Sequence, residues 1–365
     1  MILLYLRLVL QYKWSGSMKK TIYCLTGAAG YLGQAIIHEL QIDNADIRAL
    51  VVPGQTLNNQ GVTTFVGDIL KPATLVPFFM HDQEKESLIV IHTAAIISIA
   101  SRMNKLVYKT NVLGSQNMLD MARAFKVKRF VYVSSVHALS EPKKISIVKE
   151  TSTFNPKKVV GCYAKTKAEA SKRVMESASE DFEVLTLHPS GIIGPGAYRP
   201  NDNMLKMMID YINGDLNVGT HGGYDFVDVR DVAHAIKIAA LYGENRQSYI
   251  LSGNYYQVRE IFDIIANITG RKKTRIYLHP AFIRIFAWMS ELHYKIKKKT
   301  PVFTGYSMYT LQSKARFSHE LASKVLDFHP RPLIDTLTDL IGELRSNQVL
   351  GFSRKIIARG KRRNL

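Results

Sequence analysis

The segment Thr26-Gly27-Ala28-Ala29-Gly30-Tyr31-Leu32-Gly33 constrains this chain more than any other. It lies between a β-rich run at 21–26 and a helical run at 34–40. Gly27 permits a tight turn there. Gly30 removes the side chain that would keep the backbone away from a pyrophosphate, and Gly33 lets helix pack close to strand. The helix N-terminus then presents free N–H groups and a favourable field to phosphates. A purely structural turn would carry the same glycines, so the rest of the chain has to decide.

The rest of the first half alternates. Strand-like runs at 47–52, 63–66, 87–92, 129–133 and 183–187 are interleaved with helical runs, notably 104–125 and 161–175. Such spacing predicts βα crossovers, and their fixed handedness leaves an α/β fold: a Rossmann-type, doubly wound parallel sheet. After His188 a Gly/Pro-rich loop runs from 189 to 202. Helices at 203–212 and 232–241 follow, with strands at 225–229 and 249–251, and 256–345 reads as mostly helical. The expected organisation is a leader of uncertain status at 1–17, and a dinucleotide-binding domain at 18–189 plus 221–255. A smaller, mainly helical substrate lobe takes 190–220 plus 256–345, and a basic tail takes 346–365.

Composition closes off several alternatives. Apolar residues make up 46% and charged residues 22% of the 365, ordinary globular usage. With two cysteines, Cys24 and Cys162, neither a disulfide scaffold nor a cysteine-built metal centre is available, and no metal is expected. The net charge is +19, and the last fifteen residues contribute six of it. That tail, like Lys295–Lys299, either keeps the chain soluble or makes weak contact with an anionic membrane. No zinc-finger spacing or RNA-binding aromatic signature accompanies it, so no specific nucleic acid is expected. Residues 1–17 read as an addition ahead of Met18, with a short membrane-touching segment as the alternative. AFIRIFAWM, 281–289, reads as an amphipathic helix on the lobe or at a membrane interface. The expected location is cytoplasmic.

Chemistry concentrates at a few positions. Ser134 and Ser135 end the fifth strand, at the carboxyl edge where open α/β sheets bind ligands. Tyr163 and Lys167 are four apart in a helical run and share a face. Carbonyl reduction needs a proton on oxygen. A tyrosine supplies it if a neighbouring ammonium pulls its pKa down. Ser135 then holds the substrate oxygen as charge develops. Asp68, at the end of the third strand, suits an adenine amino group with Ile69 against the ring; the plainer reading is a cap on the next helix. The second strand ends in Leu50-Val51-Val52-Pro53-Gly54-Gln55, without an acid to repel or a base to anchor a 2′-phosphate. The cofactor is therefore NADP or NAD, with a lean to NADP. Tyr198, Met204, Met207, Met208, Tyr211 and Tyr224 line an apolar pocket or form lobe core, equally well. His137 is a second substrate contact or an ordinary loop residue.

Together these segments resemble the extended short-chain dehydrogenase/reductase family, over nearly all of 20–345. TGxxGxxG matches Thr26–Gly33, the adenine-side acid matches Asp68, and His92-Thr93-Ala94-Ala95 matches the fourth-strand motif that lines the cofactor. Asn111 matches the family's structural asparagine, Ser135 its catalytic serine, and Tyr163 and Lys167 its YxxxK pair. HPSGIIGPG, 188–196, matches the loop beside the nicotinamide, and DFVDVRDVAHAI, 225–236, the strand and helix that return to the sheet. The resemblance implies an NAD(P)-dependent oxidoreductase in which Ser135, Tyr163, Lys167 and Asn111 act. It implies that Gly27, Gly30, Tyr31, Leu32, Gly33, Asp68, Ile69, Thr93, Ala94, Ala95 and Pro189, with Tyr163 and Lys167, bind the cofactor. It also implies a homodimer. Within the family the chain is similar to dihydroflavonol reductase and 3β-hydroxysteroid dehydrogenase-like members, which act on apolar carbonyl or alcohol compounds. A nucleotide-sugar 4-epimerase is the first alternative. Against it, His188 stands where epimerases have asparagine and Tyr224 where they have a phosphate-binding arginine; Arg199 or Arg230 would have to substitute. A non-catalytic dinucleotide-binding protein touching membrane or RNA is the second alternative.

Overall fold

A computed structural model describes residues 19–98, 103–196, 202–279 and 305–350. Seven strands form one parallel sheet: β1 (Lys20–Thr26), β2 (Asp46–Val51), β3 (Val62–Val66), β4 (Glu86–His92), β5 (Arg129–Val133), β6 (Glu183–Pro189) and β7 (Gln247–Leu251). Their order is β7-β6-β5-β4-β1-β2-β3. The chain winds outward in both directions from the β1/β4 pair, so the crevice for a ligand opens at the carboxyl ends of those strands.

The longer helices are α1 (Tyr31–Gln41), α2 (Ser115–Ala124), α3 (Cys162–Glu176), α4 (Asn203–Asn213), α5 (Val229–Tyr242), α6 (Val258–Thr269) and α7 (Leu333–Ser346). Alternate residues of the sheet meet helices on opposite faces. Val131, Val133 and Leu185 pack with Ile36 and Ile37 of α1 and Val232 and Ile236 of α5. Phe130, Tyr132 and Val184 pack with Met118 and Leu119 of α2 and Val174 of α3. All of β5 is buried, as a strand covered on both faces must be, and its near-continuous apolar sequence follows from that.

Three expectations change. The run 104–125 is not one regular helix. A short helix, Lys105–Tyr108, passes into a π-helical turn, Lys109–Gly114, before α2. The strand predicted at 225–229 forms as Gly223–Asp228 but does not join the main sheet. It pairs with Gly191–Ile193 and Asn254–Gln257 in a three-stranded sheet, because the chain leaving β6 at Pro189 runs straight into that partner. Within 256–345, Glu320–Leu326 covers the main sheet: Ala322, Leu326 and Phe328 share the buried cluster of α1 and α5.

A third cluster holds α4, α6 and α7 together. Met208 and Tyr211 are in it, with Tyr211 stacked on Phe262 at 3.9 Å between centroids. Those two are lobe core rather than pocket lining. Among the described residues no helix is long and apolar enough to cross a membrane. The leader, Tyr198, Arg199, 281–289, Lys295–Lys299 and the tail from Gly351 onward lie outside the described residues.

Candidate active site

The glycine turn closes β1 with Gly27 at φ +70°, a conformation that suits glycine. A Cβ there would lie 2.5 Å from Thr93 Oγ1 and 2.9 Å from the Ala94 nitrogen. The turn is cross-tied to the end of β4: Thr93 Oγ1 donates to the Thr26 carbonyl at 2.7 Å, and the Ala94 N–H donates to Thr26 Oγ1 at 3.2 Å. Ala95, half-buried, continues that loop. A Cβ on Gly30 would meet only the Gly27 carbonyl within 4 Å, so this side of the turn is open beside the first N–H groups of α1. Gly33 gives room to the turn itself, since a Cβ would lie 2.8 Å from Ala28 Cα.

Tyr31 and Leu32 point their side chains elsewhere. The Tyr31 hydroxyl donates to the Gly194 carbonyl at 2.8 Å, and both side chains pack against the lobe cluster. Asp68 Oδ1 accepts from the Leu70 N–H at 2.9 Å, closing a local turn; it does not cap the next helix, whose N-cap residue is Lys71. Ile69 is buried against the Gly114 backbone and accepts from Asn117 Nδ2 at its carbonyl. Pro189 is buried at the end of β6 beside Leu251.

The two serines after β5 have different jobs. Ser134 exchanges a hydrogen bond with Ser171 of α3 at 2.7 Å, inside the core. Ser135 turns the other way: its side chain faces the Tyr163 hydroxyl and accepts from the His137 N–H at 3.2 Å. The Ser135 carbonyl takes a hydrogen bond from His188 Nδ1 at 3.1 Å; the ring's other nitrogen meets Thr186 Oγ1 at 3.0 Å, and Phe154 stacks on its face. Burial holds His188 neutral, with its pKa down at about 4. His188 is thus a backbone support for Ser135.

Electrostatics differ from the sequence expectation. Burial pushes the Tyr163 pKa up, offset in part by Ser135; the Lys167 ammonium is not among the influences on it. Lys167 is itself buried, which pulls its pKa down to about 7. Its Nζ donates to the Val133 carbonyl at 2.6 Å and sits 4.7 Å from the centre of the Tyr132 ring. The spacing of four puts Lys167 on the right face of α3, but a half-discharged amine bound to the strand end does not lower a phenol's pKa.

Behind the pair lies a buried chain of hydrogen bonds. Ser115 Oγ donates to the Asn111 carbonyl at 2.8 Å, so it accepts from His92 Nε2 at 2.9 Å, and His92 Nδ1 in turn accepts from Thr26 Oγ1 at 2.7 Å. Burial depresses the His92 pKa to about 3 and fixes this neutral tautomer. Asn111 sits in the π-helical turn. Its side chain brackets the Ile96 backbone, accepting from N at 2.8 Å and donating to O at 3.0 Å, and also donates to Thr166 Oγ1 at 3.0 Å. Thr166 donates to the Tyr163 carbonyl at 2.8 Å. The turn, β4, the π segment and α3 are therefore one connected unit.

Residues 23–251 match the model of the NAD dependent epimerase/dehydratase family. The chain belongs to this family. It is an NAD(P)-dependent enzyme of the extended short-chain dehydrogenase/reductase type. It is 24% identical over 332 residues to sterol demethylase protein B of Methylococcus capsulatus, covering 89% of this chain and 99% of that protein. It is 25% identical over 320 residues to the decarboxylating sterol-4-alpha-carboxylate 3-dehydrogenase of Schizosaccharomyces pombe, covering 83% and 91%. A solved UDP-glucose 4-epimerase from Thermotoga maritima superposes with a TM-score of 0.70 at 19% identity, over 90% of this chain and 99% of that one, a likeness of fold.

In this family member a cavity opens between the turn after Ser135, the start of α3 and the lobe. His137, Tyr224, Asp225, Tyr306 and Glu141 line it. Tyr224, left open between pocket and core, faces the cavity, and burial pushes its pKa up to about 12. Arg230 is not free to serve a diphosphate: it pairs with Asp228 at 2.7 Å and Asp339 at 2.7 Å. Sequence reasoning missed Glu141, Asp225 and Tyr306. Glu141 and Tyr306 lie in no periodic pattern or motif that would have marked them, and Asp225 opens the 225–236 segment, which was read only as a returning strand and helix.

Proposed function

We propose that the protein reduces an apolar ketone or aldehyde, or oxidises the corresponding secondary alcohol, with Ser135, Tyr163 and Lys167 as its proton-handling groups. The observation that carries this reading is the half-buried Tyr163 side chain, whose hydroxyl faces Ser135 at the carboxyl end of β5, one turn of α3 from the buried Lys167. The open side of Gly30 beside the start of α1 fits a dinucleotide diphosphate. Backbone N–H groups of Tyr31, Leu32 and Gly33 would hold it, with Asp68 and Ile69 toward the adenine and Thr93, Ala94, Ala95 and Pro189 along its length. When bound, the nicotinamide supplies or takes the hydride. Tyr163 would give its proton to the substrate oxygen, Ser135 would hold that oxygen, and Lys167 would hold the ribose of the cofactor. Asn111 keeps the backbone beside Lys167 in place through Thr166. NADP is the favoured form, because no acid stands at the end of β2. The dehydrogenase activity in the name of the sterol-4-alpha-carboxylate relative supports the hydride chemistry.

The test is Tyr163→Phe. Turnover should fall at least a hundredfold, the usual size of a positioned acid–base effect. The dissociation constants for NADPH and NADH, read by fluorescence titration, should stay within about twofold of wild type. A variant with near-normal rate would sink the mechanism.

A further inference from the structure

Among the described residues two that line the cavity, Ser190 and Tyr306, carry a buried hydroxyl without a hydrogen-bond partner, and the Tyr306 hydroxyl is the one beside the start of α3. Tyr306, in the short helix Gly305–Leu311, is 6% exposed, and its hydroxyl is buried without a hydrogen-bond partner. Buried hydroxyls are normally paired, so an orphan aimed into a cavity marks a place for a ligand atom. The ring is held on several sides. Gly161, at φ +96° just before α3, has no side chain where a Cβ would overlap the Tyr306 ring. His137 meets the ring edge-on at 6.0 Å between centroids, and Tyr309 lies alongside at 6.5 Å. The hydroxyl also lies close enough to Tyr163 for that phenol to raise its pKa further.

The charged groups around the cavity have one sign. Glu141 accepts a hydrogen bond from the Tyr309 hydroxyl, and Asp225 accepts from the Gly253 N–H at 3.0 Å. Among the described residues no lysine or arginine lines the cavity. Arg316 lies behind the lining: it sits 3.4 Å over the Tyr255 ring, donates to the Ala315 carbonyl at 2.9 Å and partly offsets the Asp225 charge. An anionic substrate entering here would meet two carboxyl groups and, among the described lining residues, no lysine or arginine.

We propose that Tyr306 orients the substrate by donating a hydrogen bond to a second oxygen of an uncharged carbonyl compound, and that Glu141 and Asp225 exclude carboxylate and nucleotide-diphosphate substrates. This rests on the reductase reading above and adds the substrate's charge class and its second anchor.

Three probes separate the parts: methyl 4-oxocyclohexanecarboxylate, the parent acid, and cyclohexanone, which lacks the second oxygen. UDP-glucose is the fourth. The full-length protein with saturating dinucleotide should favour the ester over the acid by at least about tenfold in kcat/KM, and UDP-glucose should not bind. Tyr306→Phe should raise KM for the ester about three- to tenfold, with kcat within about twofold and cyclohexanone unaffected, the size of one neutral hydrogen bond. Glu141→Gln should narrow the ester-to-acid ratio. Preference for the acid, binding of UDP-glucose, or a Tyr306→Phe effect equal on ester and cyclohexanone would each overturn the proposal. So would failure of the ester to be turned over and to bind by calorimetry while NADPH or NADH still binds; that result leaves the dinucleotide site standing. Loss of dinucleotide binding in the wild-type chain would instead bring down the underlying reading.

Discussion

Lys167 gives the sharpest prediction, because its environment is so one-sided. It is 2% exposed, its Nζ donates to the Val133 carbonyl, and among the described residues no carboxylate acts on it. Burial takes its pKa from 10.5 to about 7 in the folded protein. In the unfolded chain it keeps the ordinary lysine value near 10.4. Below about pH 7 both states carry the proton and the full cost of the buried charge is present. Between about pH 7 and about pH 10 only the unfolded chain holds it, so stability rises with pH by about 1.4 kcal/mol per unit. Lys167→Met keeps the length of the side chain and removes the titration. From about pH 7.5 to about pH 9 the wild type should gain roughly 2 kcal/mol on the variant. Guanidinium unfolding followed by far-UV circular dichroism, without added dinucleotide, reads the difference at each pH. Cys24, whose thiol burial raises to about 12, slopes the other way at alkaline pH but does so in both proteins and cancels. A gap between the two proteins that stays constant to about 0.5 kcal/mol across that window would refute the reasoning.

Two further outcomes follow from the geometry. Gly27→Ala forces an ordinary residue to φ +70° and drives a Cβ against Thr93 and Ala94. Dinucleotide affinity should weaken at least about tenfold while far-UV circular dichroism stays native; unchanged affinity removes the turn from the binding site. Ser115→Ala leaves His92 Nε2–H buried without its acceptor, and unfolding should show a loss of about 1–3 kcal/mol. A loss under about 0.5 kcal/mol would mean that the chain from Thr26 to Asn111 is not a working unit.

The parts of the site that could be read in advance are those that local sequence determines. The strand–glycine–helix turn, the seven parallel strands and the spacing of Tyr163 to Lys167 all follow from periodicity and from glycine's freedom. The π-helical turn was not legible. It exists because the Asn111 amide reaches the Ile96 backbone and the Thr166 hydroxyl, partners 15 and 55 residues away. Nor was the state of Lys167: its face was set by the helix, but its charge is set by the depth of burial. Tyr306 reaches the start of α3 through tertiary packing, against a glycine whose purpose is visible only from the ring that fills it. Pairing of Gly223–Asp228 outside the main sheet escaped for the same reason, since alternation reveals a strand but not its neighbour.

The hydrogen bond from Tyr31 to the Gly194 carbonyl also bears on the order in which the molecule assembles. It joins the first turn of α1 to a loop 163 residues later. Closing so long a segment before other contacts exist is entropically costly, so this link forms after the intervening strands have paired. The phosphate-binding turn is made by contiguous residues and matures early. Its brace against the loop after β6 comes late, when β6 and the lobe are in place. A chain stopped before Gly194 would carry the glycine turn without that brace.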